Sequence, residues 1–376
     1  MQVTIVAGAR PNFMKVSPII KAIERSRAAG NPIDYRLVHT GQHFDQKMSG
    51  DFFSQLGIPE PDTNLEAGGG TQAEQTAAVM VSFEREIEAN RPDIVLVVGD
   101  VTSTMACTIT AKKLCVPVAH IEAGIRSGDI TMPEEINRIV TDSICDHFFT
   151  TTRQAGKLLQ RSGVDECQIH FVGNTMIDTL TQNLSRVRQP AVWKEKCLSA
   201  DGFYLLTLHR PANVDRPDQL TGLLDAVLDG SVGRQIVFPV HPRTRRTLKS
   251  VEFENERLLQ IDPLGYLEFI YLLKHSRCVI TDSGGITEEA TILNIPCITL
   301  RDSTERPETV EIGTNVLAGT DPGNLGPYLE KLESGSWKKG KIPELWDGRT
   351  SERIVDALLN IYETSGVIDP ATAMAI

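Results

Sequence analysis

Between residues 120 and 138 the chain reads HIEAGIRSGDITMPEEINR, placing Glu122, Arg126, Asp129, Glu134 and Glu135 among Gly124 and Gly128. Carboxylates give up and take protons, so a loop this dense in them is a candidate for general acid/base chemistry. It follows the apolar run PVAHI, which reads as a strand, and precedes a stretch with the period of an amphipathic helix. Loops at the carboxyl ends of strands are where α/β folds bind their ligands. Met132-Pro133-Glu134-Glu135 is also a good helix start, with Pro at the first helical position and acids in the first turn. That start accounts for Glu135 without any ligand, but it does not account for Glu122.

Other reactive side chains stand at the ends of apolar runs. Asp100 follows IVLVV and Gly99, where it could equally cap the next helix. His209 and Arg210 follow YLLTL. Arg10 and Lys15 lie at and beyond the end of the first strand. TDSGGITEEA, residues 281–290, has strand–turn–helix character. Its Ser283, Gly284 and Gly285 would let a backbone approach a phosphate at a helix N-terminus, or Ser283 would simply cap the helix. It matches neither the P-loop nor the dinucleotide fingerprint. Glu288 and Glu289 follow in the next turn. His241, Arg243, Arg245 and Arg246 form a basic group, and Arg301, Glu305 and Arg306 share a loop. Tyr266 and Phe269 have helical spacing, suited to core packing or to stacking on a base.

These groups need elements to hold them. The chain has 376 residues, too many for one ordinary core and comfortable for two. Strand and helix patterns alternate: 3–8, a helix through Ile23, 35–40, a helix over 45–56, then a long helix from Thr71 to Asn90 with Ala77, Met80, Val81, Phe83 and Ile87 on its buried side. Strands 94–98 and 117–121 follow, and two further strand–helix pairs close the half. Residues 185–202 lose the pattern and read as a linker, after which the alternation restarts. An amphipathic helix follows from Ser351. The expected architecture is α/β: two Rossmann-like domains facing a central cleft, residues 1–184 and 185–350, with the C-terminal helix 351–376 returning to the first.

Seven cysteines without CxxC spacing argue against a zinc site or a disulfide framework and for a reducing cytoplasm. A net charge of −11 argues against a nucleic-acid partner. No apolar run approaches the length of a membrane span. MQVTIVAGAR reads as a strand rather than a signal peptide.

Taken together, GARPNFMKVSPI, TGQHFD, VVGDVTSTMA, HIEAGIRSGDITMPEEINR, VGNTMIDTL, LLTLHRPANVD, PVHPRT, TDSGGITEEA and RDSTERPETVEIGTNVLAGTD resemble the non-hydrolysing UDP-N-acetylglucosamine 2-epimerases, in order, from about residue 3 to residue 360. The resemblance implies a glycosyltransferase-B-like fold, a UDP-sugar substrate, no cofactor and no metal, and a homodimer is expected. By position it makes Asp100, Glu122, Glu134 and His209 the acid/base residues. Arg10 and Lys15 would contact substrate, Ser283, Gly284 and Gly285 the diphosphate, and Glu289 the ribose. Leu264 and Phe269 would flank the uracil, and Arg306 would contact the nucleotide. Gln42, His43 and Gln46 are compatible with the second, activating nucleotide-sugar site of some members. Two departures bear on the sugar: many members carry Glu where this chain has Asn12, and Glu where it has Ala212. The expected substrate is therefore UDP-N-acetylglucosamine or a close UDP-2-acetamido sugar.

Inverting C2 means removing a poorly acidic proton, and no nicotinamide motif is present to acidify it. The remaining route is loss of UDP from C1 with the C2 proton, giving a 2-acetamidoglucal, and re-addition with protonation from the other face. That route needs carboxylates near C1 and C2 and cations or N–H groups at the leaving diphosphate. A hydrolysing epimerase, a UDP-sugar transferase on the same fold and a silent nucleotide-sugar-binding regulator are the competing readings. The regulator would lack the carboxylates this chain retains.

Overall fold

The computed structural model describes residues 1–41 and 56–365. The expected helix over 45–56 and the residues Gln42, His43 and Gln46 lie outside the described residues, apart from the last residue of that helix. The chain divides into two compact units, Met1–Thr181 with Glu344–Ile376, and Gln182–Pro343.

The first unit is built on seven parallel strands. They are β1 (Gln2–Ala7), β2 (Asp34–His39), β3 (Thr63–Asn64), β4 (Ile94–Val98), β5 (Val118–Ile121), β6 (His147–Thr150) and β7 (Ile169–Phe171). Their order is β3-β2-β1-β4-β5-β6-β7. Parallel sheets are covered on both faces, so central strands are apolar throughout rather than alternating. β4, IVLVV, is buried at all five positions. It pairs with β1 on one side and β5 on the other. The sheet order reverses between β1 and β4, and that switch point is where such sheets bind ligands.

Helix Gln72–Ala89 opens on a capping box: Thr71 Oγ1 accepts the Glu74 N–H at 3.3 Å, and Glu74 accepts the Thr71 N–H at 2.8 Å. Its buried face is Val79, Phe83, Glu86 and Ile87. The expectation that Ala77 and Val81 point inward is corrected: Ala77 is exposed and Val81 is 48% exposed. Val79, Phe83 and Ile87 pack into the core and set the face, and Glu86 beside them is paired with Arg36, whose Nε lies 2.6 Å away. The last described helix, Thr350–Ser365, joins this unit. Buried Asp178 accepts the Thr350 and Ser351 N–H groups at 3.0 and 2.6 Å, satisfying free donors at the helix start. Burial pushes the Asp178 carboxyl up.

The second unit has six parallel strands: β8 (Phe203–Thr207), β9 (Gln235–Pro239), β10 (Leu258–Ile261), β11 (Cys278–Thr281), β12 (Cys297–Thr299) and β13 (Asn315–Leu317). The order β10-β9-β8-β11-β12-β13 puts its switch point between β8 and β11. Tyr204, Leu206, Leu224, Phe238, Ile280 and Ile298 belong to its apolar core. The stretch 185–202 carries the short helix Ala191–Glu195. Trp193 packs edge-on against Phe203 and Tyr271, centroids 6.0 and 5.2 Å apart, which anchors that stretch to the second unit. Among the described residues no helix is long and apolar enough to cross a membrane.

Candidate active site

At the first switch point, β1 runs into helix Arg10–Ala28, which carries Arg10, Asn12 and Lys15. β4 runs into Gly99 and Asp100. Lys15 Nζ lies 2.5 Å from Glu122 Oε2, and both side chains are largely buried. Glu122 has a positive φ of 70°, a conformation that costs a non-glycine residue about 1–3 kcal/mol. It is held there by β6: the N–H groups of Glu122 and Ala123 both donate to the Phe149 carbonyl, at 3.0 and 3.1 Å. Gly99, with φ +71°, closes the group. A Cβ on it would stand 3.2 Å from Lys15 Nζ and 3.7 Å from Glu122 Oε2. Lys15, Glu122 and the Gly99–Asp100 turn therefore share one spot.

Asp100 is bound by Arg138. Arg138 also reaches Glu135, at 2.8 Å. Glu135 is turned inward rather than standing as an exposed helix-start acid, and it accepts the N–H groups of Ser127 and Gly128 at 2.9 and 3.1 Å. Burial alone would raise the Glu135 carboxyl; the Ser127 N–H, Arg138 and the Gly128 N–H outweigh it and hold it below the usual range. Glu134, one residue earlier, remains partly exposed in the first turn of helix Pro133–Ile144.

Sequence reasoning did not single out the support beneath these groups. His120 is fully buried, and its Nδ1 lies 2.7 Å from Asp142. Asp142 also takes Arg126 Nη1 at 2.6 Å and the Gly124 N–H at 3.0 Å. Burial would raise the Asp142 carboxyl, but His120 and Arg126 carry it below its ordinary value. Asn12 reads differently in the structure than in the sequence. It is 2% exposed and its amide is turned onto backbone, so it does not present a polar group outward from the strand end. Ala212, the other departure, is exposed.

At the second switch point, His209 follows β8 and Asp282 follows β11. His209 Nδ1 lies 2.8 Å from Asp282 Oδ1. Asp282 is fully buried and also accepts the N–H groups of His209 and Arg210 and the Asn213 amide. Burial pushes its carboxyl up; His209 and these N–H groups outweigh that and bring it below its usual range. The His241 ring stands 5.8 Å from that of His209. Partial burial and the His209 charge lower the His241 imidazole.

Ser283 occupies the N-cap of helix Gly284–Ile292, yet its side chain makes no capping bond. A Cβ on Gly284 would meet nothing nearer than Arg301 Nη1 at 4.0 Å, so this helix start has room beside it. Arg301 forms a two-pronged pair with Glu305, both bonds 2.7 Å. Arg306 pairs with buried Glu288. Its neighbour Glu289 is pushed up to about 8, by burial first and by the charge of Glu288, against the opposing Tyr266 phenol. Tyr266 opens the helix that carries Phe269, and Leu264 lies in the turn just before it. Among the described residues no group of three or more His, Cys, Asp or Glu is arranged to hold a metal.

Both units therefore place polar groups at the switch point of a parallel sheet, and known proteins are similar to this one along nearly the whole chain. A family model for UDP-N-acetylglucosamine 2-epimerase matches residues 25–359. The UDP-2,3-diacetamido-2,3-dideoxy-D-glucuronate 2-epimerase of Pseudomonas aeruginosa is 44% identical over 322 residues, 85% of this chain and 88% of that one. The crystal structure of Methanocaldococcus jannaschii UDP-GlcNAc 2-epimerase in complex with UDP-GlcNAc and UDP superposes with a TM-score of 0.85 at 40% identity, covering 96% of this chain and all of that one. At 12% identity, the calicheamicin glycosyltransferase CalG4 shares the fold, with a TM-score of 0.53 over 96% of this chain and 97% of that one. With the match extending over both sheets and across the carboxylate loop, the chain belongs to the UDP-N-acetylglucosamine 2-epimerase family.

Proposed function

We propose that this protein interconverts UDP-N-acetylglucosamine and UDP-N-acetylmannosamine, or a close UDP-2-acetamido sugar pair, at C2 without net hydrolysis. The observation that carries the reading is the Lys15–Glu122 pair beside the Gly99–Asp100 turn at the first switch point. It sets acid/base groups where an α/β sheet binds its ligand. In the forward half, a base takes the C2 proton and the bond between C1 and the UDP oxygen breaks, leaving a 2-acetamidoglucal and UDP. In the return half, the UDP oxygen adds to C1 and C2 takes a proton on its other face.

Asp100, Glu122, Glu134 and His209 are the acid/base candidates. Arg138 is paired with Asp100, and Lys15 with Glu122. Arg10 and Lys15 contact the substrate. In the second unit, Ser283, Gly284 and Gly285 hold the diphosphate at the helix start, where first-turn N–H groups have no partner within the helix; the Ser283 N–H itself donates to Thr281 Oγ1 at 3.0 Å. Glu289 holds the ribose, Leu264 and Phe269 flank the uracil, and Arg306 contacts the nucleotide. The assembly is a homodimer, which light scattering would establish.

A second reading concerns the sugar. The 44% identity with the Pseudomonas aeruginosa epimerase favours a UDP-2,3-diacetamido uronate as substrate. Incubation of the protein with each UDP-sugar in D2O, without acceptor, followed by NMR, tests both. Deuterium at C2 with the 2-epimer still linked to UDP supports the proposal, and the sugar that exchanges faster names the substrate. Free sugar plus UDP as sole products would make the enzyme hydrolysing. Binding of both sugars with no exchange would overturn the epimerase reading.

A further inference from the structure

Three consecutive backbone carbonyls at the exit of β4 each accept a side-chain N–H, and the three donors come from three different elements. Asn12 Nδ2 donates to Val98 O at 2.8 Å. His120 Nε2 donates to Gly99 O at 2.8 Å. Asn137 Nδ2 donates to Asp100 O at 2.9 Å. The chemistry of the surroundings settles each orientation. Asn12 Oδ1 faces the N–H groups of Gly8 and Ala9, at 3.2 and 2.9 Å, so its NH2 must face Val98. A carbonyl only accepts, so His120 Nε2 carries the hydrogen. Its Nδ1 faces Asp142, and Asp142 also accepts the Gly124 N–H.

All three donors are deeply buried, with Asn12 at 2%, His120 at 0% and Asn137 at 7% exposure. Each spends its side-chain N–H on a main-chain carbonyl, so these groups hold a backbone. The backbone they hold is the turn that aims Asp100, whose carboxylate is further tied to Arg138. Through Asp142 the same network grips Gly124, two residues past Glu122. The two turns bearing Asp100 and Glu122 are thereby cross-braced by the His120–Asp142 pair.

We propose that Asn12, His120 and Asn137 are positioning residues that fix the Asp100 turn, and, through Asp142, the Glu122 turn, in register for proton transfer at C2. The proposal rests on the epimerase reading above. Position 12, which from sequence pointed to the sugar, acts instead on the geometry of the acid/base pair. An acid there could still accept from Gly8 and Ala9 but would turn a second acceptor against the Val98 carbonyl.

Asn12→Asp and Asn137→Asp test this, since each keeps side-chain shape and removes one donor. In the full-length protein, UDP affinity and KM should stay within about threefold of wild type. Turnover should fall about tenfold to a hundredfold, the scale of a small misplacement of reacting groups. The isotope effect with substrate deuterated at C2 should rise, because proton transfer becomes the slower step. Amide hydrogen exchange over residues 98–101 and 122–126 should quicken in both variants. Wild-type turnover and isotope effect in a folded variant would overturn the proposal, as would turnover and UDP-binding capacity falling in the same proportion, which marks loss of folded protein only. Should Asn12→Asp not fold, Asn137→Asp carries the same test. Absence of C2 exchange in the wild type would instead sink the epimerase reading. Unchanged amide exchange in the variants would refute the brace itself.

Discussion

His209 Nδ1 lies 2.8 Å from Asp282 Oδ1, joining the ends of β8 and β11 across the reversal point of the second sheet. Asp282 is fully buried and takes backbone N–H groups from both His209 and Arg210, so it fixes the main chain as well as the ring. A carboxylate so placed sets which imidazole nitrogen carries the proton and leaves Nε2 to act. Asp282→Asn should therefore lower turnover by about two to four powers of ten, as His209→Asn should, both by disabling the one acid/base function proposed for His209. The double variant should cost little more than either single one. Steady-state kinetics on the three variants checks this, with additive losses counting against a shared role.

Glu122 stands with positive φ beside Lys15. Glu122→Gln keeps its shape and removes its charge. Turnover should drop at least about a hundredfold, with UDP still binding, since most of the residues proposed to hold the nucleotide belong to the second unit. Calorimetric titration with UDP alongside turnover measurement separates the two effects. A near-normal rate would remove Glu122 from the mechanism.

Glu289 titrates near 8 when folded, against an ordinary value of 4.5. The sign follows from linkage. Between those values the folded chain holds a proton that the unfolded chain has lost, so stability is fully present below about 4.5 and declines as pH rises toward 8. Glu289→Gln stays neutral throughout and should flatten that decline. Urea melts at several pH values between 5 and 8.5 would show it, and parallel slopes for the two proteins would contradict the assignment.

Gly124 has φ +77°, and a Cβ on it would lie 2.5 Å from the Ala155 carbonyl oxygen. Gly124→Ala should destabilise the protein by more than about 1 kcal/mol, through backbone strain and that clash. It should also slow turnover by shifting Glu122, two residues away. Thermal melting reads the first effect and kinetics the second; a Tm equal to wild type would show that the turn relaxes.

Local pattern by itself determined the α/β class, the strand β4 over Ile94–Val98 and the presence of helix Gln72–Ala89. Buried parallel strands announce themselves as short apolar runs, and a long helix as apolar residues recurring every three or four positions. The combined motifs were also enough to name the family. Only the tertiary structure decided where side chains point and what they meet. Lys15 meets Glu122 from 107 residues away, and His120 meets Asp142 from 22. Asn12 stood out as a departure from the family pattern and its amide is turned onto the Val98 carbonyl, and Glu135 looked like a helix-start acid and proved to hold the loop at Ser127 and Gly128. Ala77 and Val81 fit a helical stripe, yet the helix buries Val79, Phe83 and Ile87, with Glu86 paired to Arg36. Hydrophobic period is written along the chain. Hydrogen-bond partners and the burial of charge depend on which strand ends the sheet order brings side by side, and that order is set when β1 packs against β4 and β8 against β11.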